Sequence, residues 1–232
     1  MSELFLCLDT STSTARVAIL DAEAGVRFSG EFTADRHAAH LLPLCAEALR
    51  AAGVTPAALA GIACGGGPGS FTGLRVGLAA AKGLALPTGV SLYVVSSLEA
   101  LALDILNAGD AAPGSAAIPS LDAGKGEVYV AGYVADVEHR VRELAPVARL
   151  APAAVPAWLK QLPSLTVQAA GNGAVRYPTA FAAARIADVA GPTAVSVGTL
   201  ALLQRARGEA ADLATAVPFY GRPPDITVKR SP

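Results

Sequence analysis

Short apolar runs open the chain. Residues 4–9, LFLCLD, and 16–20, RVAIL, are separated by Thr and Ser turn residues, the pattern of a β-hairpin. Residues 26–32, VRFSGEF, alternate as a third strand. The period then lengthens. In HLLPLCAEALRAAG, Leu41, Leu44, Cys45, Ala48 and Ala52 fall at helical spacing, with Pro43 tolerable only in a first turn and Gly53 as a stop. GIAC (61–64) is a strand leading into a glycine-rich segment, and SLYVV (91–95) is another strand. Ser96-x-x-Glu99 forms a capping box ahead of a helix striped by Leu98, Leu101, Ala102 and Ile105. Three strands followed by alternating helix and strand imply an α/β layer fold.

Residues 107–117, NAGDAAPGSAA, have the Gly, Ala, Asp and Pro content of a linker. They divide the chain into a first lobe over 1–106 and a second over 118–232. Beyond them the pattern restarts: IPSLDAGKGEVYVAGY (118–133) repeats the opening hairpin, with Leu121-Asp122 matching Leu8-Asp9. That match suggests an internal duplication. Further strands fit 146–150 and 165–170, and a final helix fits 197–207. The Pro-rich end, PFYGRPPDITVKRSP, is expected to be extended and to pack through Phe219 and Tyr220.

A chain of 232 residues can bury a real core as one large domain or two small lobes. Hydrophobic residues make up 53% but aromatics only 5%, so the core is expected to be Ala, Val and Leu. The net charge of −1 comes without the basic stripe of a protein that grips nucleic acid unaided, so any RNA contact is expected to be shared with a partner. Cys7, Cys45 and Cys64 sit in apolar runs, which fits buried thiols in a reducing cytosol better than a disulfide frame. The N-terminus shows no signal-peptide pattern, and the most apolar region, 71–95, is broken by Arg75, Lys82 and Pro87. The expectation is a soluble, cytoplasmic protein without a membrane span.

The segment 65–86, GGGPGSFTGLRVGLAAAKGLAL, raises the main chemical question. It is not a Walker loop, since the order is Lys82-Gly83, and it is not a dinucleotide fingerprint, since Thr72 stands where the third glycine belongs. An anion nest ahead of a helix capped by Ser70 stays open. Gly69, Gly73, Gly77, Ala81 and Ala85 recur every four residues and form a groove along one helical face. Glycines inside a helix cost about 1 kcal/mol each relative to Ala, so close packing must offset them. Two readings follow: an internal helix pressed on its own sheet, or a helix shared with a second subunit. Arg75 and Lys82 project from nearly the same side and require carboxylates, an anion or solvent.

The three-strand opening with Asp9 at its end, and the repeat at Asp122, resemble the actin, hexokinase and chaperone-type ATPase fold: α/β, two-lobed, each lobe a mixed sheet flanked by helices. LDTST, HAAHLLP, the 65–86 segment, VSSLEALA and DAGKGEVY are similar to the TsaB family of tRNA threonylcarbamoyladenosine biosynthesis, over residue 4 to about 130. Farther on, GNGA and FYGRPP carry the likeness. The resemblance implies a noncatalytic scaffold that pairs with and activates a TsaD-type, metal-bearing transferase acting on the adenosine beside the anticodon. It also implies a TsaE-type P-loop ATPase binding where the two meet, tRNA reached only through the complex, and a competing homodimer. The pairing surface it implies is formed by the helices at 40–52 and 70–86. On this chain that surface is Leu41, Leu44, Ala48, Gly69, Gly73, Arg75, Gly77, Ala81 and Lys82. Gly77→Leu is then expected to abolish pairing and leave a folded monomer.

Two enzyme readings compete with this one. In active phosphotransferases of the resembled fold the first loop reads Asp-x-Gly-Thr; here Asp9-Thr10-Ser11-Thr12 keeps the carboxylate and loses the glycine. Asp122-Ala123-Gly124-Lys125 keeps its glycine, and Gly171-Asn172-Gly173 approximates the adenosine side. Asp9, Thr10, Ser11, Asp122, Gly124, Gly171 and Gly173 thus outline a half-kept nucleotide site, with Asp9 expected to cap a turn. No cofactor of its own is expected, with ATP or ADP shared at a partner interface as the alternative. A metalloendopeptidase needs a constellation such as His-Glu-x-x-His. His37 and His40 lack the intervening Glu, and His139 and the cysteines lie in separate elements, so no metal site is expected.

Overall fold

Leu4–Asp9 (β1) is apolar up to its last residue because both of its faces are covered. The computed structural model describes residues 3–33, 37–108, 115–135, 141–163 and 166–220. In it β1 pairs antiparallel with β2 (Thr14–Asp21), and β2 pairs antiparallel with β3 (Val26–Thr33). On its other side β1 runs parallel to β4 (Gly61–Gly65), and β4 runs parallel to β5 (Leu92–Val95). Side chains alternate across this sheet. Leu4, Leu6, Leu8, Val17, Ile19 and Ile62 meet α1 (His37–Ala51) and α2 (Phe71–Ala85), while Phe5, Cys7, Ala18, Leu20 and Ala63 point the other way.

The second sheet is built from β6 (Ala116–Gly124), β7 (Glu127–Ala135), β8 (Val141–Leu150), β9 (Val167–Ala170) and β10 (Arg185–Ile186). Its order, β10-β9-β6-β7-β8, mirrors the β3-β2-β1-β4-β5 of the first, with the same antiparallel and parallel pairings. The duplication suggested by Leu8-Asp9 and Leu121-Asp122 is therefore present in the topology. Asp9 sits opposite Arg16, and Asp122 sits opposite Val128, near the ends of corresponding hairpins.

The helices between the sheets do not respect the division of the sequence at 107–117. The α3 helix (Ser97–Asn107) is apolar on two sides: Leu98, Leu101, Ala102 and Ile105 pack on the second sheet, and Ala100 and Leu103 pack with the first. Conversely α6 (Ala194–Ala206) returns to the first sheet, where Val197, Leu200 and Ala201 meet Phe5, Cys7 and Leu20. The last helix of the expected second lobe, 118–232, thus packs in the first core. Asp104 fastens the crossing, accepting hydrogen bonds from Thr193 N and Oγ1 at 2.7 Å each and from Ser196 Oγ at 2.6 Å. The anticipated linker is bounded by Asn107 and Ala116, and residues 109–114 lie outside the described residues. The outer face of the second sheet is covered by α4 (Val155–Leu159), α5 (Asn172–Arg176) and Phe181.

Pro43 lies inside α1 rather than in its first turn, since the helix starts at His37. It is exposed, so the missing N–H costs one helical bond without disturbing the buried side. Gly53 ends the helix as expected, at φ +67°, with Val54 N–H donating back to the Leu49 carbonyl. The α6 helix begins at Ala194, three residues before the sequence expectation, because Thr193 supplies the cap.

Candidate functional site

A cavity of about 900 Å³ opens between the lobes. Its first-lobe wall is the turn after β1 (Ser11, Thr12, Ser13) and the entry of α2 (Gly69, Ser70, Phe71, Arg75). Its second-lobe wall is Asp122, Ala123, Gly124, Tyr129 and Asn172, and Tyr220 also lines it.

Asp9 does not face this cavity. It has no exposed surface, and its carboxylate is enclosed by its own turn. Oδ1 accepts from Ser11 N at 2.8 Å and Ser11 Oγ at 2.6 Å, and Oδ2 accepts from Ser97 Oγ at 2.9 Å. Burial pushes this carboxyl above its ordinary value, against the opposing pull of the Ser11 and Ser97 hydrogen bonds and of Arg16. The geometry is that of a turn cap locked to the start of α3. In the second lobe Asp122 Oδ1 accepts from Gly124 N at 3.0 Å, and its Oδ2 pairs with Arg176.

The small-residue ridge of α2 is turned inward. A Cβ at Gly73 would fall closer than 3.0 Å to the Thr10 carbonyl oxygen, one at Gly77 equally close to Thr10 Oγ1, and one at Gly69 equally close to Ser11. The Thr10 hydroxyl donates to the Gly73 carbonyl at 2.8 Å, and Ser11 O accepts from Ser70 N at 2.7 Å. Ser70 caps the helix, its hydroxyl accepting from Gly73 N. The positions left outward include Ala79, Gly83 and Leu86; Leu86 is 72% exposed, and a Cβ at Gly83 would meet nothing within 4 Å, while Val76 and Ala80 are half-buried against the first core.

Residues 15–218 match the family model described as TsaD: tRNA N6-adenosine threonylcarbamoyltransferase. The chain belongs to that family. Within it the likeness is to TsaB/YeaZ members. The tRNA threonylcarbamoyladenosine biosynthesis protein TsaB of Escherichia coli (strain K12) is 33% identical over 131 residues, 56% of this chain and 55% of that protein. The protein of the same name from Bacillus subtilis (strain 168) is 32% identical over 128 residues, 55% of this chain and 54% of that protein. These matches span about half the length of the curated relatives. A crystal structure of an uncharacterized protein from Pseudomonas aeruginosa with similarity to peptidase YEAZ superposes with a TM-score of 0.80 at 28% identity, over 95% of this chain and all of that one.

Against this TsaB/YeaZ background the residues singled out from sequence separate into three groups. Of the residues expected at the partner surface, Gly69, Gly73 and Gly77 lie against Thr10 and Ser11 of their own lobe, and Ala81, Leu41 and Ala48 are buried in the first core. Arg75 is exposed, while Lys82 and Leu44 are half-buried. Of the nucleotide-site residues, Ser11, Asp122 and Gly124 line the cavity. Thr10 is spent on Gly73, and Gly171 and Gly173 pack under Ser120 and Leu121. His40 stacks edge-on against Phe32, and among the described residues no three His, Cys, Asp or Glu side chains gather as a metal site. Sequence reasoning missed Ser97 and Tyr129, whose side chains act across elements, and only Ser97, adjoining the capping box, carried any local signal; Asn172, named between Gly171 and Gly173, accepts from Asp122 N at 2.9 Å.

Proposed function

We propose that this chain is a noncatalytic, TsaB-type scaffold in the tRNA threonylcarbamoyladenosine pathway, docking and activating a TsaD-type transferase. The observation that carries the reading is the enclosure of Asp9. In an actin-like phosphotransferase the carboxylate at this position orients a hydrated cation beside the phosphates. Here it is sealed by Ser11 and Ser97 and cannot reach the cavity. The mirrored topology of the two sheets supports an actin-like two-lobed ancestry with that chemistry lost.

Docking in this reading uses the outward faces of α1 and α2. Leu42 of α1 is 50% exposed, and Ala79 and Gly83 of α2 are exposed, so small and apolar positions are presented to a partner helix. The same face supports a homodimer that competes with the TsaD-type pairing. A TsaE-type ATPase and tRNA then join only in the complex, any ATP or ADP sits at the shared interface, and the setting is the cytoplasm. Among the described residues no helix is long and apolar enough to cross a membrane.

The test is reconstitution with a purified TsaD-type subunit. The pair is expected to co-elute and to modify tRNA in the presence of the remaining components, while this chain alone neither transfers threonylcarbamoyl nor hydrolyses ATP or casein. Turnover by the isolated chain, or failure to pair, overturns the proposal.

A further inference from the structure

Tyr220 is tied to two elements at once, α2 and β7. Its ring lies against Phe71 with centroids 5.0 Å apart, and its hydroxyl accepts a hydrogen bond from Arg75 Nε at 2.9 Å. Its carbonyl oxygen accepts from the Tyr129 hydroxyl at 2.7 Å. One residue earlier, Phe219 N donates to the Gly66 carbonyl at 2.8 Å. The Arg75 guanidinium completes the cluster, 3.8 Å from the Phe71 ring centroid and 5.5 Å from that of Tyr220. A single short segment thereby joins α2 and the exit of β4, in the first lobe, to β7 in the second.

The segment also runs between two cavities. Tyr220 borders the 900 Å³ inter-lobe space, while Val217 and Phe219 border a second one of about 360 Å³ whose floor is Ser96, Glu99, Tyr133 and Glu143. Burial holds it only in part: Pro218 and Tyr220 are half-buried, while Val217 is 72% exposed and Phe219 55% exposed. A stretch held by a few directional contacts, with little apolar area under it, opens at far lower cost than the sheets it crosses.

We propose that residues 217–220 form a strap across the mouth of the inter-lobe cavity, latched by Arg75 and Phe71 on Tyr220, and that unlatching opens the cavity without unfolding either lobe. The inference is independent of the docking proposal, since it concerns contacts within one chain.

The experiment places a reporter thiol in the cavity wall by Ala123→Cys and follows its labelling by a bulky fluorescent maleimide. The native Cys7, Cys45 and Cys64 are buried and contribute little background. Arg75→Ala and Tyr220→Ala are each expected to accelerate labelling about tenfold, with Tyr220→Phe between them and the parent because it keeps the ring and carbonyl but loses the hydroxyl. Amide exchange at Phe219 is expected to rise by a similar factor in Arg75→Ala, although Arg75 does not touch that amide, while exchange in β1 and β6 stays unchanged. Labelling at the parent rate in both Arg75→Ala and Tyr220→Phe overturns the strap. Acceleration spread equally over β1 and β6 overturns it too, since that is loosening of the whole fold. Should Tyr220→Ala fail to fold, the other two variants decide the matter.

Discussion

The Gly73 carbonyl accepts the Thr10 hydroxyl at 2.8 Å, while the space where a Gly73 side chain would stand is filled by Thr10's own carbonyl oxygen. The two contacts clamp α2 onto the turn after β1. Gly73→Ala and Gly77→Ala should therefore destabilise the protein by about 1–3 kcal/mol, the usual cost of forcing atoms into a full core. Gly83→Ala, with open space around it, should stabilise by about 0.5–1 kcal/mol by removing backbone freedom from the unfolded chain. Urea denaturation of the three variants checks the contrast; equal effects at Gly73 and Gly83 would contradict the clamp.

The same clamp changes which substitutions report on docking. Gly77→Leu tests the chain's own core, so its loss of pairing would carry no information about a partner. Ala79→Glu and Gly83→Arg are the appropriate probes. Both positions face outward and should hold the melting temperature within a few degrees, as surface changes usually do. If helices of a TsaD-type subunit pack there, either variant should weaken co-elution at least tenfold, because a long charged side chain holds two helix backbones apart. Unchanged co-elution by both would move the docking surface elsewhere.

Asp9 gives a pH dependence of definite sign. Burial raises its carboxyl above the ordinary value of 3.8, so the folded protein holds this proton more tightly than the unfolded chain does. The stability it contributes is complete below 3.8 and is lost as pH rises through the folded value. Asp9→Asn is neutral throughout, so its cost should be larger near about pH 4 than near about pH 8. Urea midpoints of parent and variant at the two pH values measure this. A cost that grows with pH would mean that the Ser11 and Ser97 hydrogen bonds stabilise the ionised form by more than burial disfavours it.

The elements that sequence reveals here are those whose signal is local. The first hairpin follows from two short apolar runs split by Thr and Ser turn residues, the start of α2 from Ser70, and the start of α3 from Ser96 and Glu99, whose N–H donates to the Ser96 hydroxyl at 3.3 Å. The glycine spacing of α2 correctly signals that a backbone comes close, but it cannot say whose. The answer lies in Thr10, 63 residues earlier, which reaches Gly73 only once β1 is in place. The destination of α6 is hidden for the same reason: Val197 and Leu200 mark an apolar face, and only Asp104 binding Thr193 decides that it meets the first sheet. Arg75 was legible as a cation in want of a partner; that the partner is Tyr220, 145 residues away, was not.

The cysteines offer an independent measure of how firmly the first lobe is closed. Burial pushes the Cys45 thiol up to about 12 and the Cys7 and Cys64 thiols higher still, with Asp9 and Cys45 adding to the effect at Cys64. The thiolate is the reactive form, so at neutral pH the folded protein should leave all three untouched by a chromogenic disulfide reagent. In denaturant all three should react at once. Any slow labelling of the native protein then requires opening of the core, and its rate follows the population of the open state. Gly73→Ala should accelerate it by the factor that its loss of stability dictates, roughly tenfold for each 1.4 kcal/mol, because Leu8 and Cys64 share one cluster with the underside of α2. Rapid reaction of Cys45 or Cys64 in the unaltered protein would show that the cluster around α1, α2 and β4 is open to water, and the inward packing of the glycine ridge would fall with it.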